Sequence, residues 1–308
     1  MTTATTTADY YEVFEAALSG LTARGEYRRH FGAPATSSPP GYCWFKTVTA
    51  PERHLDYLAW LDDAGTRLER QLLADMPRKR PNRLIDVGCG NGPLLRRVTR
   101  EHPGVAVTGI NSQPTQLRIA HQALQGTGAK LVEGDFLQHE LGSGFDVALL
   151  LESAFHMPNK AQLCRRLAQV LAPDGEVWMI DIAIAERAAE AFQSLGSETL
   201  FNYVPRKEWQ VRFAEHGFAE LEFTDLSRGA ADVLQISDIK LLERDYFTPR
   251  LTAAMSHGAA EPDAQIRTAV ARMVQIATDY RRLSRLLRGG MLQYVLMRYK
   301  KTGAAASA

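Results

Sequence analysis

Leu84-Ile85-Asp86-Val87-Gly88-Cys89-Gly90-Asn91-Gly92-Pro93 is an apolar run that ends in alternating glycines and a proline. Leu84–Val87 predicts a buried strand and Pro93–Glu101 a helix, so the glycines fall where one becomes the other. Glycine there lets the backbone turn tightly and lets a ligand touch the main chain, because no Cβ stands in the way. Asp86, at the strand end, offers a carboxylate to an ammonium group. The helix that follows offers free N–H groups to a carboxylate. An amino acid fits between those two features; a tight strand-to-helix turn without a ligand is the alternative.

Downstream, strands and helices alternate. Ala106–Ile110 reads as a strand, Pro114–Leu124 as a helix, Leu131–Gly134 and Asp146–Leu151 as strands, Lys160–Leu171 as a helix and Glu176–Ile182 as a strand. These strands are short and nearly wholly apolar, as expected where helices cover both faces of a parallel sheet. Glu186–Leu200 and Pro205–Gly217 then read as helices, Ala219–Leu226 as a strand, Asp232–Arg288 as a helical block and Leu292–Arg298 as a closing strand. From Asp263 to Arg288, Ile266, Val270, Met273, Ala277, Tyr280, Leu283 and Leu287 mark one helical face. Arg267, Arg272, Arg281, Arg282, Arg285 and Arg288 crowd the rest, which reads as a solvated face, with a phosphate-binding role as the other reading. Upstream, an amphipathic helix over Asp9–Leu21 and another opened by Pro51 and running to Met76 flank a Pro/Ser-rich connector, Pro34–Gly41. Pro77–Pro81 reads as a basic solvated turn, and Thr2–Ala8 and Thr302–Ala308 have the composition of disordered ends.

The spacing Asp-x-Gly-x-Gly-x-Gly differs from the G-x-G-x-x-G of a dinucleotide site. In its strand–turn–helix setting it resembles motif I of the class I methyltransferases that use S-adenosylmethionine (SAM). The resemblance implies an α/β, Rossmann-like fold: a seven-stranded, mostly parallel sheet with its last strand antiparallel, an N-terminal helical lid and helical cap insertions. Residues 1–60 would form the lid, 61–185 the SAM-binding core, 186–289 the remaining core strand with the cap insertions, and 290–308 the last strand and a tail. The implied cofactor is SAM, held by Asp86, Gly88, Cys89, Gly90 and Gly92. About twenty residues on, where an acid usually holds the ribose hydroxyls, the second strand ends at Asn111. That wording resembles the sterol, tocopherol and natural-product sugar methyltransferases, in which Asn111 and Gln116 would take over the role. Asp135 of Val132-Glu133-Gly134-Asp135-Phe136 would accept the adenine amino group, being acceptor-only when ionised. Phe136 either flanks that ring or belongs to the core.

The fourth strand delivers Leu151-Glu152-Ser153-Ala154-Phe155-His156-Met157-Pro158 to the sheet end where ligands of open parallel sheets bind. Relatives with a similar run place a general base at the position of His156, whose reference pKa of ~6.5 lets it take a proton at neutral pH. Its other reading is a hydrogen-bonded structural histidine. Glu152 is a cofactor contact or a charge stabiliser. Aromatic walls tolerate cationic character, and of the aromatic residues here Phe155, Phe201 and Tyr203 are the substrate-pocket candidates. Glu26-Tyr27-Arg28-Arg29-His30-Phe31-Gly32 is similar to the N-terminal stretch of the geranyl diphosphate C-methyltransferase type, in which Tyr27 would cover the cofactor. The ending Gly290–Leu296 resembles the same type. The N-terminal helix resembles that of methyltransferase-fold enzymes tied to cyclisation, such as the terpenoid C-methyltransferase of the teleocidin pathway.

Composition bounds the rest. Apolar residues at 45% can bury a sizeable core, and a net charge of +1 gives no overall field to recruit nucleic acid or an anionic membrane. Cys43, Cys89 and Cys164 are widely spaced, which points to neither a disulfide framework nor a metal site and suits a cytoplasmic setting. No apolar run approaches the ~20 residues of a membrane helix. The Asn/Asp-Pro-Pro-Tyr run usual in nucleic-acid methylation is absent after the fourth strand, where Glu152-Ser153-Ala154-Phe155 stands. The expected partner is a small-molecule acceptor, with the N-terminal helix a candidate contact in a homo-oligomer. C-methylation of an isoprenoid or terpenoid moiety leads, coupled or not to cyclisation; N- or O-methylation of a phenol, amine or sugar is second, and a non-catalytic SAM-binding protein is third.

Overall fold

The computed structural model describes residues 32–194, 202–255 and 262–303. The expected helix at Asp9–Leu21, Tyr27, Phe201 and the end of the tail lie outside the described residues.

The alternating apolar runs form one sheet: β1 Arg83–Val87, β2 Ala106–Asn111, β3 Lys130–Glu133, β4 Phe145–Leu151, β5 Leu171–Ile184, β6 Val204–Pro205, β7 Phe218–Asp225 and β8 Leu292–Lys301. Their order is β3-β2-β1-β4-β5-β8-β7, with the two-residue β6 paired to β5 beside that path. β1 to β5 run parallel, and β8 runs antiparallel between β5 and β7. This is the Rossmann-like methyltransferase arrangement that the glycine turn implied. Strand order reverses between β1 and β4, and the crevice at such a switch point is where open α/β sheets bind ligands. The register keeps the strand ends level: Asp86 faces Gly109 on one side and Leu149 on the other, and Asn111 faces Glu133.

The helices are α1 Trp44–Thr49, α2 Leu55–Leu72, α3 Met76–Lys79, α4 Pro93–Glu101, α5 Pro114–Ala123, α6 Lys160–Val170, α7 Ala189–Ser194, α8 Arg206–Glu215, α9 Ser227–Val233, α10 Ile239–Leu242, α11 Thr248–Met255 and α12 Pro262–Arg288. Ile85, Val87, Ala148, Leu150, Val177 and Met179 share a core cluster with Leu163 and Leu167 of α6 and Trp209 and Phe213 of α8. The alternate positions Leu84, Leu149, Trp178 and Ile180 are buried as well, so the sheet is covered on both faces. No helix of the described residues is long and apolar enough to cross a membrane.

The chain divides into two compact units, one comprising the residues up to Leu68 with Arg228–Arg288, the other Glu69–Ser227 with Gly289–Ala308. Residues 186–194 and 202–227 fall in the unit that holds the sheet. In the first unit, Ile266, Val270, Met273 and Ala277 of α12 pack with Phe45, Leu242, Phe247 and Leu251, which is the face the heptad-like spacing marked. Ser284 Oγ donates to the Ala231 carbonyl, and Arg288 pairs with Asp232.

Several boundaries differ from the sequence reading. Pro51 opens a 3₁₀ turn, Pro51–Arg53, and α2 starts only after it. α2 stops at Leu72, and Pro77 sits in the first turn of the separate α3, where its missing N–H costs nothing. Pro77–Pro81 is thus partly helical, and it is not simply solvated. Arg78 makes two hydrogen bonds to the buried carboxylate of Glu176, and Lys79 donates to the Asp174 carbonyl at 2.6 Å. Over its described residues the helix placed at Glu186–Leu200 is a 3₁₀ turn running into α7, and its residues 195–200 lie outside the described residues. In the block Asp232–Arg288 the helix α9 ends at Val233, while α10 and α11 run on into each other through a π-helical turn, Glu243–Phe247, and residues 256–261 before α12 lie outside the described residues. β8 extends to Lys301, and the Thr302 amide donates to the Gly217 carbonyl at 2.8 Å, so the chain is still tied down where the tail was expected to begin.

Candidate active site at the carboxyl ends of the strands

The glycine turn is stapled to β2: the Gly88 and Cys89 amides both donate to the Ile110 carbonyl, at 2.8 and 3.1 Å. Gly88 adopts a positive φ of 79°, and a Cβ there would lie 2.5 Å from that of Ser153. Only glycine fits both the conformation and the approach. A Cβ on Gly90 would meet nothing within 4 Å, so this part of the loop borders open space. Gly92, also at positive φ, caps α4, and no side chain closes that helix end. Cys89 is buried, with Sγ directed towards Gly109.

Asp86 is buried at the end of β1. Burial first, and the charge of Glu69 second, push its carboxyl up to about 7, and no cation of the described residues offsets them. Glu69 is itself paired with Arg97 at 2.5 Å inside the protein. Asn91, between Gly90 and Gly92, is 7% exposed, and neither end of its carboxamide has a hydrogen-bond partner among the described residues. Buried polar groups are nearly always satisfied. A buried carboxylate short of a cation, an amide short of partners and an open glycine-lined wall together fit the amino acid end of a SAM molecule.

At the end of β2, Asn111 Nδ2 donates to Gln116 Oε1 at 2.8 Å, and both side chains are buried. The two residues expected to hold the ribose are therefore brought together as one pair. Asp135 is exposed after β3 and accepts from the Leu137 amide and from Gln138 Nε2, each at 2.9 Å. Phe136 lies in the apolar core cluster at 3% exposure.

The end of β4 supplies the rest. Ser153 Oγ donates to the Val87 carbonyl at 2.6 Å, which ties the turn after β4 to the glycine turn after β1. Glu152 has a positive φ of 54°, and Tyr294 of β8, fully buried, donates its hydroxyl to Glu152 Oε1 at 2.5 Å. Phe155 and His156 lie in a 3₁₀ turn, Ala154–His156, with ring centroids 4.2 Å apart. Tyr203 approaches Phe155 at 5.9 Å, and the Asn202 amide donates to the Phe155 carbonyl at 2.8 Å. Of the other aromatic residues, Tyr42, Trp44 and Trp209 belong to core clusters.

Sequence reasoning passed over Asn91, Ser153, Lys160, Asp181 and Tyr294. Asp181 carried a signal, being the lone acid in the apolar run Val177–Ile184. The partners of Ser153 and Tyr294 lie 66 and 142 positions away and leave no trace in local spacing.

Residues 57–222 match the family model described as the methyltransferase domain. The chain is 31% identical over 185 residues to 27-O-demethylrifamycin SV methyltransferase of Amycolatopsis mediterranei (strain S699), over 56% of this chain and 67% of that one. Among solved structures, the O-methyltransferase of a trans-AT PKS multienzyme of Brevibacillus brevis, in complex with S-adenosyl-L-homocysteine, superposes with a TM-score of 0.69 at 20% identity, covering 89% of this chain and 85% of that one. The geranyl diphosphate C-methyltransferase of Streptomyces coelicolor A3(2) superposes with a TM-score of 0.65 at 15% identity, covering 93% and 92%. At those identities the structural likeness speaks for the fold. The sequence match extends over more than half of the chain and takes in the glycine turn, the Asn111–Gln116 pair and the turn after β4. The chain therefore belongs to the methyltransferase-domain family, as a SAM-dependent methyltransferase.

Proposed function

We propose that the chain transfers the methyl group of SAM to a hydroxyl oxygen of a small molecule, with His156 as the base. The carrying observation is the contact between the two turns: Ser153, three residues before His156, is hydrogen-bonded to the strand end that precedes Gly88. A base on the turn after β4 thus stands beside the wall that would hold the donor. The relative named for methylating a rifamycin oxygen supports an oxygen acceptor.

In this reading Asp86 and the amides at the start of α4 hold the donor's amino acid end, with Asn91 supplying a further polar contact. Asn111 and Gln116 hold the ribose hydroxyls, and Asp135 accepts from the adenine amino group. The sulfonium supplies an already activated methyl group, so alignment and exclusion of water are most of what the protein must add. His156 accepts the proton that the acceptor hydroxyl loses as the new C–O bond forms and the S–C bond breaks, then releases it to solvent. Glu152, fixed by Tyr294, places negative charge near the reacting sulfonium.

C-methylation of an isoprenoid is a second reading, favoured by the Phe155–Tyr203 pair beside His156, since ring faces stabilise a passing carbocation. Incubation with SAM carrying a ¹³C methyl group and a panel of phenols, sugar and polyketide alcohols and prenyl diphosphates separates the two. The expected product carries the label on oxygen. Label found only on carbon would replace the first reading with the second, and His156→Ala at full turnover would remove the assigned base.

A further inference from the structure

The turn that carries Glu152 and His156 is gripped by two buried, oppositely charged side chains that take no part in the donor site. Lys160, the first residue of α6, is 4% exposed, and its ammonium donates to the Ala154 carbonyl at 2.6 Å and to the Met157 carbonyl at 2.8 Å. Asp181, midway along β5, is 0% exposed, and its carboxylate accepts from the Phe155 amide at 3.0 Å and the Ile182 amide at 2.7 Å. A cation therefore holds two carbonyls, and an anion one amide, of residues 154–157. Burial lowers the Lys160 ammonium and raises the Asp181 carboxyl, and the charge of each opposes the shift of the other. Lys160 also lies 5.4 Å from the Trp209 ring centroid.

The local sequence does not call for a charge at Asp181, because its neighbours Met179, Ile180, Ile182 and Ala183 are apolar. Stability does not require it either, since buried opposite charges are often no better than apolar groups of similar volume. What the pair accomplishes is directional: it pins a short 3₁₀ turn whose own backbone bonds are few. We infer that Lys160 and Asp181 are positioning residues for methyl transfer, a buried clamp that fixes the turn after β4 so that His156 and Glu152 face the donor. The inference rests on the role proposed above for His156.

The test compares Lys160→Met with the double variant Lys160→Met/Asp181→Asn, in which an amide oxygen can still accept from Phe155 and no charge is left unpaired. The single variant is expected to lower the melting temperature, because Asp181 is stranded, and the double variant to recover most of that loss. In both, the amides of 155–157 should exchange about tenfold faster than in the native protein, read by hydrogen-exchange mass spectrometry. Binding of S-adenosylhomocysteine should stay within about twofold, while kcat on the acceptor found by the labelled-methyl panel falls at least about tenfold with KM little changed. A well-folded double variant with native exchange in this turn and native kcat would overturn the inference. Exchange and S-adenosylhomocysteine binding need no acceptor, so a failed clamp and a failed assignment of His156 as base show separately.

Discussion

Acidification should release the donor through Asp86. This carboxyl is buried and feels the charge of Glu69, and both effects raise it to about 7. It can pair with an ammonium group only when ionised. If the competent fraction sets the apparent affinity, that fraction is about one half at pH 7 and about 0.01 at pH 5. The dissociation constant for S-adenosylhomocysteine should then rise about fifty-fold between those pH values, or ~2.3 kcal/mol. The ligand's α-amino group, ordinarily at about 7.7–8.0, is protonated throughout this window and adds no slope of its own. The stability of the donor-free protein moves in the opposite sense. A folded-state pKa raised above the unfolded one favours the folded state at acid pH, and the contribution, on the order of 4 kcal/mol, is withdrawn as pH rises from about 4 to 7. Calorimetric titration across pH 5 to 7.5, with Asp86→Asn as the reference, reads the first effect; chemical denaturation reads the second. Asp86→Asn should bind weakly with a flat acid limb. A native protein whose affinity is constant over that range, or an unchanged limb in Asp86→Asn, would refute the placing of the ammonium on this carboxylate.

Other perturbations separate folding from binding. Gly90→Ala meets no neighbour within 4 Å, so its cost is limited to the left-handed backbone, roughly 1–2 kcal/mol by denaturation, whereas binding of S-adenosylhomocysteine should fall by far more if the donor lies against this wall. Gly88→Ala drives a methyl into Ser153, and should lower both stability and binding because the two turns must part. Arg97→Met deprives the buried Glu69 of this partner and should cost about 3–5 kcal/mol of stability. Glu69→Gln, by contrast, removes a like charge near Asp86, and the acid limb described above should shift to lower pH. Tyr294→Phe deletes a hydroxyl bonded to the Glu152 carboxylate, a bond worth about 1.5–3 kcal/mol, and should lower kcat by about tenfold or more in a steady-state assay with donor binding retained.

The sheet was legible because its central parallel strands are buried on both faces and so are nearly wholly apolar, as in Val147–Leu150 and Val177–Ile180. The glycine turn was legible for a different reason: Gly88 must approach Ser153 and Gly90 must leave room, and those demands exclude other residues at fixed spacing. Boundaries were less legible where tertiary contacts decide them. Arg78 and Lys79 look like solvated charges until Glu176 arrives from β5 to receive them. The 3₁₀ turn at Pro51 and the break before α3 bracket the leucines of α2, whose helical spacing carries no sign of either boundary.

The candidate site shows the same division more sharply. Asp86, Asn111 and Glu152 sit at strand ends and His156 in the turn that follows β4, so reading the strands located them. The groups that hold them do not. Tyr294 reaches Glu152 from a strand 142 positions away, and Asp181 reaches Phe155 from 26 away. Local spacing cannot encode such pairs; a buried charge in an apolar strand can. Asp181 stands alone among Trp178, Met179, Ile180, Ile182 and Ala183, and an unpaired carboxylate at that depth would be expensive. The need for a partner could thus be inferred from sequence, though which one could not. The structure answers with Lys160 and the Phe155 amide, which places the cost of the buried charge next to the turn where the chemistry is proposed.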